Sequence, residues 1–417
     1  MNMLRTRSAV SPVRRRFDEA PPALPRVDDV VVAERPDEPL HCLRPDVISA
    51  TARAFVEGFP GSVLYAVKCN PEPRVLRALW AGGVRCFDCA SPAEVALVRQ
   101  MFPAASIHYM HPVKARSAIR MAWTEYGVRD FVLDSADELA KILAETGSGP
   151  AEDRGLIIRL AVRNVGAYDL SGKFGATPEA AAQLLAAARP HAARLGLSFH
   201  VGSQCLDPQA YAHALERAAA VIEAAGVAVD IIDVGGGFPV SYPGVTPPPL
   251  QAYMAAIAEA RAHLGLDGVA FWAEPGRALA AAGTSVVVQI QHRRGDALYI
   301  NDGVYGSLSD AGSPRFTFPC RLICAEGAPT EGALRPFRLF GPTCDSVDRM
   351  DGPFVLPEDA REGDWIEIGQ LGAYGAALRT AFNGFDRARL VDVGDAPLLA
   401  TPGYPLQPFS DQKDHLR

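Results

Sequence analysis

The sequence predicts a TIM-type (β/α)8 barrel followed by an antiparallel β domain. Three observations carry that expectation. Eight short β-like runs, at 63–68, 85–90, 107–110, 130–134, 156–162, 197–201, 229–234 and 269–273, alternate with stretches rich in Ala, Leu, Glu and Arg. The apolar runs give way to polar or glycine residues at their carboxyl ends, where a barrel opens. Beyond Arg277 the texture changes to Val, Ile, Thr, Phe and Tyr runs broken by Gly, Pro and Asp.

In chain order, a helix at 45–57 precedes the first strand, and the clearest later helices are 92–101, 136–145, 178–195, 208–225 and 250–264. Several open with Pro or Ser in the first turn, where a missing N–H costs nothing and a hydroxyl caps. Strands separated by helices of this length pair in parallel through crossovers, and eight of them close a barrel rather than an open sheet. The alanine run at 180–188 is explained by helix propensity. In the β domain, 285–291, 297–301, 315–324 and 365–369 read as strands. The Pro-rich segment 17–38, β-like at 29–33, is expected to return and pack on that domain. The organisation is therefore a disordered extension at 1–16, the packing segment at 17–38, the barrel at 39–278 and the β domain at 279–417.

Composition narrows the function. With 417 residues, 48% of them hydrophobic, the chain can bury a sizeable core, so a disordered protein is excluded. A net charge of −7 offers no general attraction to nucleic acid, and no apolar run reaches the roughly 18 residues of a bilayer span. Arg5, Arg7, Arg14, Arg15 and Arg16 could mimic a transit peptide, but a disordered extension on a cytoplasmic protein is the expectation. No apolar signal core is present, so the eight cysteines are read as reduced thiols. Cys86 and Cys89 form a lone C-x-x-C on a strand, where residues three apart face opposite ways, so no metal site is expected.

The strand ends bring Lys68, Asp88, Arg159, His200, Gly235, Gly236, Gly237 and Glu274 to one mouth. A strand-end lysine is usually solvated, a lone histidine usually structural, and glycine runs serve ordinary turns. Together they form an unusual inventory for a structural barrel. The Asp233-Val234-Gly235-Gly236-Gly237-Phe238-Pro239 run lets backbone N–H groups approach a phosphate. A dinucleotide-binding reading would need glycine where Val240 stands, with a helix starting at once, and the following prolines argue against that helix.

The segment Tyr65-Ala66-Val67-Lys68-Cys69-Asn70, the glycine run, Glu274-Pro275-Gly276-Arg277, Gly341-Pro342-Thr343-Cys344-Asp345 and Gly372-Ala373-Tyr374-Gly375 together resemble the pyridoxal-phosphate decarboxylases of ornithine, lysine and diaminopimelate. The matches run in order over more than two thirds of the chain. The resemblance implies that Lys68, lowered in pKa by desolvation and cationic neighbours, carries pyridoxal 5'-phosphate covalently. It assigns the cofactor phosphate to Gly235, Gly236, Gly237, Gly276, Arg277, Ser203 and Tyr374, and stacking on the ring to His200. Glu274 would pair with the pyridine nitrogen, a carboxylate choice that suits decarboxylation better than racemisation. Asp88, Glu94 and Arg159 would orient the site, although each could equally be a cap or an ion pair. Gln204 stands where the family frequently has glycine.

For substrate, the resemblance implies Cys344 as proton donor to the α carbon, with Asp302 and Asp345 holding the distal ammonium of a basic amino acid. Cys344 and Asp345 would enter from a partner subunit, implying a homodimer. Two aspartates favour a plain diamino acid over diaminopimelate, and the segments look most like bacterial ornithine or dual ornithine/lysine enzymes. Ornithine, giving putrescine for polyamine synthesis, is the expectation. A lysine or dual ornithine/lysine decarboxylase, a diaminopimelate decarboxylase, an enzyme of a modified amino acid, a racemase and a catalytically dead regulator stay open.

Overall fold

The computed structural model describes residues 23–147, 153–166, 172–327 and 332–405. The Arg-rich segment 1–16 lies outside them. Eight parallel strands close the barrel: β2 (Ser62–Ala66), β3 (Cys86–Cys89), β4 (Ser106–Tyr109), β5 (Asp130–Leu133), β6 (Gly155–Arg159), β7 (Arg194–Ser198), β8 (Ile231–Asp233) and β9 (Ala270–Ala273). β1 (Leu40–Leu43) precedes them in the chain but is not among them. Leu64, Met110, Val132, Ile157, Ile231 and Trp272 form a buried cluster of their own across the strands. The outward residues, such as Tyr65, Phe87, Phe131 and Phe271, join the large core shared with the helices. A barrel filled in this way is a rigid plug, and its strand ends are a fixed platform for chemistry.

Two barrel helices, Pro73–Ala81 and Arg116–Thr124, complete the alternation where the sequence had shown no clear helix. The helix expected at 178–195 stops at Ala188 and passes through a 3-10 turn. Pro190 has no N–H to continue the α pattern, so the chain turns early and β7 begins three residues before its expected start.

The sheet of the second domain runs in the order β12 (Cys320–Ile323), β15 (Trp365–Ile368), β10 (Thr284–Arg294), β11 (Ala297–Ile300), β13 (Leu334–Phe340) and β14 (Arg349–Pro357). It is mixed rather than purely antiparallel: β11 pairs in parallel with β13, and β1 in parallel with β16 (Arg389–Asp392). β1 also pairs antiparallel with β10, so residues 40–43 belong to this sheet and not to the barrel as expected. The segment expected to be β-like at 29–33 is instead the helix Val27–Glu34. Val27, Val30 and Val31 recur at helical spacing and are buried against Leu40, Cys42, Val287 and Trp365, while Asp28 and Asp29 sit at the favourable positive end. The helix is held laterally by Asp28, whose carboxylate accepts two bonds from Arg321. Among the described residues, no helix is long and apolar enough to cross a membrane.

Candidate active site

A cavity of about 500 Å³ opens at the carboxyl ends of the strands. β2 ends at Ala66, and a 3-10 turn over Val67–Cys69 swings Lys68 into this mouth. Its Nζ lies 2.6 Å from Asp88 Oδ2; Asp88 is fully buried on β3, whereas 46% of the lysine side chain is exposed. Burial opposes the ammonium charge, but Asp88, Glu274 and Tyr374 outweigh it and hold Lys68 well above the ordinary lysine range. This corrects the expectation of a lowered pKa, because the lysine's nearest charged neighbours are carboxylates rather than cations.

Glu94 is a helix cap. Ser91 Oγ accepts the Glu94 N–H and Glu94 Oε2 accepts the Ala90 N–H, the reciprocal pattern that fastens the start of Pro92–Met101. It thereby fixes Ala90, which lines the cavity.

Arg159, the last residue of β6, lines the cavity with His200 and Ser203 from the loop after β7. His200 Nδ1 accepts the Gly202 N–H at 3.0 Å, which leaves the ring proton on Nε2. Burial, then the charges of Arg159 and Lys68, push this histidine down to about 3, so it is a neutral ring at physiological pH. Gln204, where glycine is frequent in the resembling family, takes a left-handed φ of 60°. The strain is offset by a two-way clamp, in which its side chain accepts from the Val240 N–H and donates to the Val240 carbonyl.

The glycine run follows β8. Gly235 has φ 68° and Gly237 φ 100°, and side chains there would collide with the carbonyls of Phe199 and Gly202 respectively. A Cβ on Gly236 would sit 2.6 Å from the Glu274 carbonyl oxygen and 3.2 Å from His200 Nε2. Gly236 and Gly237 face the cavity, while Gly235 lies behind them, its N–H donating to Asp233 Oδ1. Glu274, directly after β9, is buried, and its carboxyl is held well above the usual range by that burial and by the neighbouring Asp233 and Asp88.

Gly276 and Arg277 complete the floor with Tyr374, whose backbone N–H donates to the Cys69 carbonyl and whose hydroxyl burial pushes up to about 12. Arg277 Nη1 donates to Tyr242 Oη at 2.7 Å and Nη2 pairs with Asp310 Oδ2 at 3.1 Å. The rings of Phe316 and Tyr374 each stand 5.1 Å from the guanidinium.

Three expected residues are elsewhere. Asp302 is 2% exposed and absent from the lining; its Oδ2 takes Arg379 at 2.8 Å and its Oδ1 accepts the N–H groups of Gly303 and Ser307. It is a buried anion whose oxygens are paired within its own chain. Cys344 is exposed, its N–H and thiol both directed at Asn383 Oδ1, and Asp345 Oδ2 accepts the Tyr305 hydroxyl at 2.6 Å. Neither lines the cavity of its own chain.

Conversely, the lining includes Asp310, His111, Lys173 and Phe174, which the sequence reading missed. His111 immediately follows the run read at 107–110 and was findable as one more polar strand end. Asp310 sits on a one-turn helix, Ser309–Gly312, with no motif to mark it.

The cavity suits pyridoxal phosphate. The glycine cradle, where a Cβ would be excluded, together with Ser203 and Arg277 suits a phosphate. The proton-avid Glu274 suits a protonated ring nitrogen. Lys68 can bond an aldehyde, and the buried Asp88 Oδ1, which has no hydrogen-bond partner among the described residues, leaves an acceptor for a polar ring substituent.

Comparison with known proteins agrees. The family model for the pyridoxal binding domain of pyridoxal-dependent decarboxylases matches residues 46–281, and that for their C-terminal sheet domain matches 279–372. A lysine/ornithine decarboxylase of Selenomonas ruminantium is 33% identical over 347 residues, covering 80% of this chain and 84% of that protein. An ornithine decarboxylase of Panagrellus redivivus is 34% identical over 386 residues, 85% of each. The crystal structure of a lysine/ornithine decarboxylase of Vibrio vulnificus complexed with cadaverine gives a TM-score of 0.76 at 34% identity, covering 88% of this chain and 98% of that one.

Proposed function

Because this chain belongs to the pyridoxal-dependent decarboxylases, we propose that it converts L-ornithine to putrescine and carbon dioxide. It is a pyridoxal-phosphate-dependent carboxy-lyase of basic amino acids. The observation that carries the finer reading is the cavity of about 500 Å³ in which Lys68 and Glu274 share a wall system with a carboxylate, Asp310, contributed by the sheet domain.

The bound cofactor supplies the electron sink for the bonding pair that carbon dioxide leaves behind. The chain's own residues do the rest. Lys68 tethers the cofactor, and Asp88, 2.6 Å away, holds the proton its amine must shed. Gly236, Gly237, Ser203 and Arg277 hold the phosphate. Glu274 keeps a proton at the ring nitrogen, and neutral His200 offers an uncharged ring surface. Arg159 closes one side, and Tyr374 stands with Arg277 at the floor. A distal ammonium is received by Asp310, the role first expected of Asp302.

Cys344 and Asp345 enter from a second copy of the chain, the thiol delivering a proton to the α carbon. The exposure of Cys344, and the absence of both residues from the cavity of their own chain, support that reading. The eight cysteines are all free thiols, which supports a reducing, cytoplasmic setting.

Lysine is the rival substrate. One methylene is discriminated by only ~1–3 kcal/mol in a pocket, so the relatives that take both make this a matter of degree. The test is a competition with equal L-ornithine, L-lysine, L-arginine and meso-diaminopimelate, reading amines by mass spectrometry. Putrescine should dominate. Cadaverine in excess would transfer the assignment to lysine, and no amine with cofactor bound would overturn it.

A further inference from the structure

The apolar cluster of Leu64, Met110, Val132, Ile157, Ile231 and Trp272 marks the inward face of the barrel strands, and the same face also carries charge. A strand returns to one face every second residue, which places His108 below Met110, Asp130 below Val132, Asp233 above Ile231 and Glu274 above Trp272. His108 is 6% exposed, its Nδ1 3.0 Å from Asp130 Oδ2 and its ring edge-on to Trp272 at 4.5 Å, and its Nε2 has no hydrogen-bond partner among the described residues. Asp130 Oδ1 in turn takes Nη2 of Arg194, the partly exposed first residue of β7, at 2.7 Å. A Cβ on Gly155 would collide with that same oxygen, so glycine there leaves the carboxylate its room. The charged and titratable groups facing the imidazole are thus Asp130 on β5, Cys86 and Asp88 on β3 and Asp233 on β8. Burial opposes the ring's charge, but Asp130 and Cys86 outweigh it and raise the histidine to about 9. Burial pushes Asp233 up to about 6, held from going further by the Gly235 N–H, the Glu274 carboxyl and the charge of His108. Glu274 owes its hold on a proton first to burial and then to the Asp233 charge.

We propose that His108 is a positioning residue: its buried imidazolium keeps Asp233 ionised, and the Asp233 carboxylate in turn makes Glu274 basic enough to hold a proton against the cofactor's ring nitrogen. This rests on the placement of Glu274 in the decarboxylase reading above. Charge alternates along the column, from Arg194 through Asp130, His108 and Asp233 to the proton on Glu274, so each member is stabilised by its neighbours. Asp233 is buried, and an uncompensated carboxylate there would take up a proton. Glu274 would then lose the adjacent anion that makes it proton-avid. The barrel core thus transmits a charge state to the cofactor floor through residues that never line the cavity.

The experiment titrates cofactor-free protein by calorimetry across the pH range with two probes, pyridoxal phosphate and deazapyridoxal phosphate, which has C–H in place of the ring nitrogen. In the wild-type protein, affinity for pyridoxal phosphate relative to the deaza analogue should fall on the acid side of a midpoint at about 6, where Asp233 takes up its proton. His108→Gln keeps the side-chain size and removes the charge, and should move that midpoint up by roughly one pH unit while affinity above it recovers. Damage to the fold would instead weaken both probes at every pH. Asp130→Asn, which leaves the buried imidazole without its anion, should give the same shift, and the double variant no more than either alone. Imidazole NMR of the wild-type protein, which needs no variant, should show His108 charged at pH 7. A neutral His108, a midpoint unmoved in a folded His108→Gln protein, or parallel loss of both probes overturns the proposal. A wild-type protein that binds the two probes alike at every pH, with His108 charged, overturns instead the placement of Glu274 on which the relay rests.

Discussion

The barrel mouth and the loop Gly341–Asp348 of the sheet domain both carry residues that the family resemblance assigns to one reaction, yet only the first is assembled within this chain. At the mouth, residues from seven strand ends converge within one cavity because barrel closure fixes their separation. The loop is well ordered by its own contacts. Asp348, 3% exposed, accepts from Val304 N–H, Thr343 N–H and the Thr343 hydroxyl, yet the loop presents Cys344 to solvent. The loop displays the thiol beside exposed Val347 and Phe382. The first region is assembled by barrel topology; on the proposed function, the second would act in the site of another copy.

The sharpest way to break that contrast is at Lys68. Replacing it with alanine removes the tether and leaves Asp88 and Glu274 without their nearest cation, and kcat/KM should fall by roughly 10^4-fold or more in steady-state assays. Cys344→Ala should cost less, roughly 10^2- to 10^3-fold in kcat, as expected for one proton-transfer group. Mixing the two inactive proteins should then restore part of the activity through hybrid sites with an intact mouth and an intact loop. If subunits exchange, shown by labelled chains, and no activity returns, the loop serves no second copy.

Asp302 sharpens the comparison from the other side, since it belongs to the sheet domain but is buried and spent on Arg379. Asp302→Asn leaves Arg379 a buried cation without its partner, which should cost about 3 kcal/mol in denaturant unfolding with little change in KM. A raised KM at unchanged stability would return Asp302 to the substrate.

What was legible follows the same division. The barrel strands were readable because short apolar runs and intervening helices repeat a local pattern, and Lys68, His200, Glu274 and Arg277 were readable because they end those runs. Residues 27–34 were misread because valines at 30, 31 and 32 mimic a strand, whereas the 27, 30, 31 spacing that buries one face decides for helix. Leu40–Leu43 is apolar enough for either domain, and only pairing with β10 and β16 places it. Asp302 and Asp310 lie eight residues apart on one stretch, both acidic. Telling their settings apart required knowing that Arg379, 77 positions away, pairs with the first, and Arg277, at the cavity, with the second. Distant partners of that kind leave no trace in local pattern.

The smallest expected effect separates two histidines of the barrel. His200, pushed down to about 3 by burial and by Arg159 and Lys68, is neutral in the folded state, whereas the unfolded chain protonates it near its ordinary value of 6.5. The unfolded state therefore binds the extra proton, and the stability His200 contributes is present above about pH 6.5 and lost as pH falls toward 3. His108 runs the other way. Burial opposes its charge, but Asp130, 3.0 Å from Nδ1, raises it to about 9, so its contribution is full below pH 6.5 and lost as pH rises through 9. Between pH 7 and pH 5 the His200 loss amounts to about 2 kcal/mol, while His108 gains about 1 kcal/mol over the same interval and partly offsets it. Denaturant unfolding of cofactor-free protein across that interval should show a decline that His200→Asn reduces and His108→Asn does not. Equal slopes in wild type and His200→Asn would mean that the histidine at the mouth is charged, and that the uncharged ring surface assigned to it is wrong.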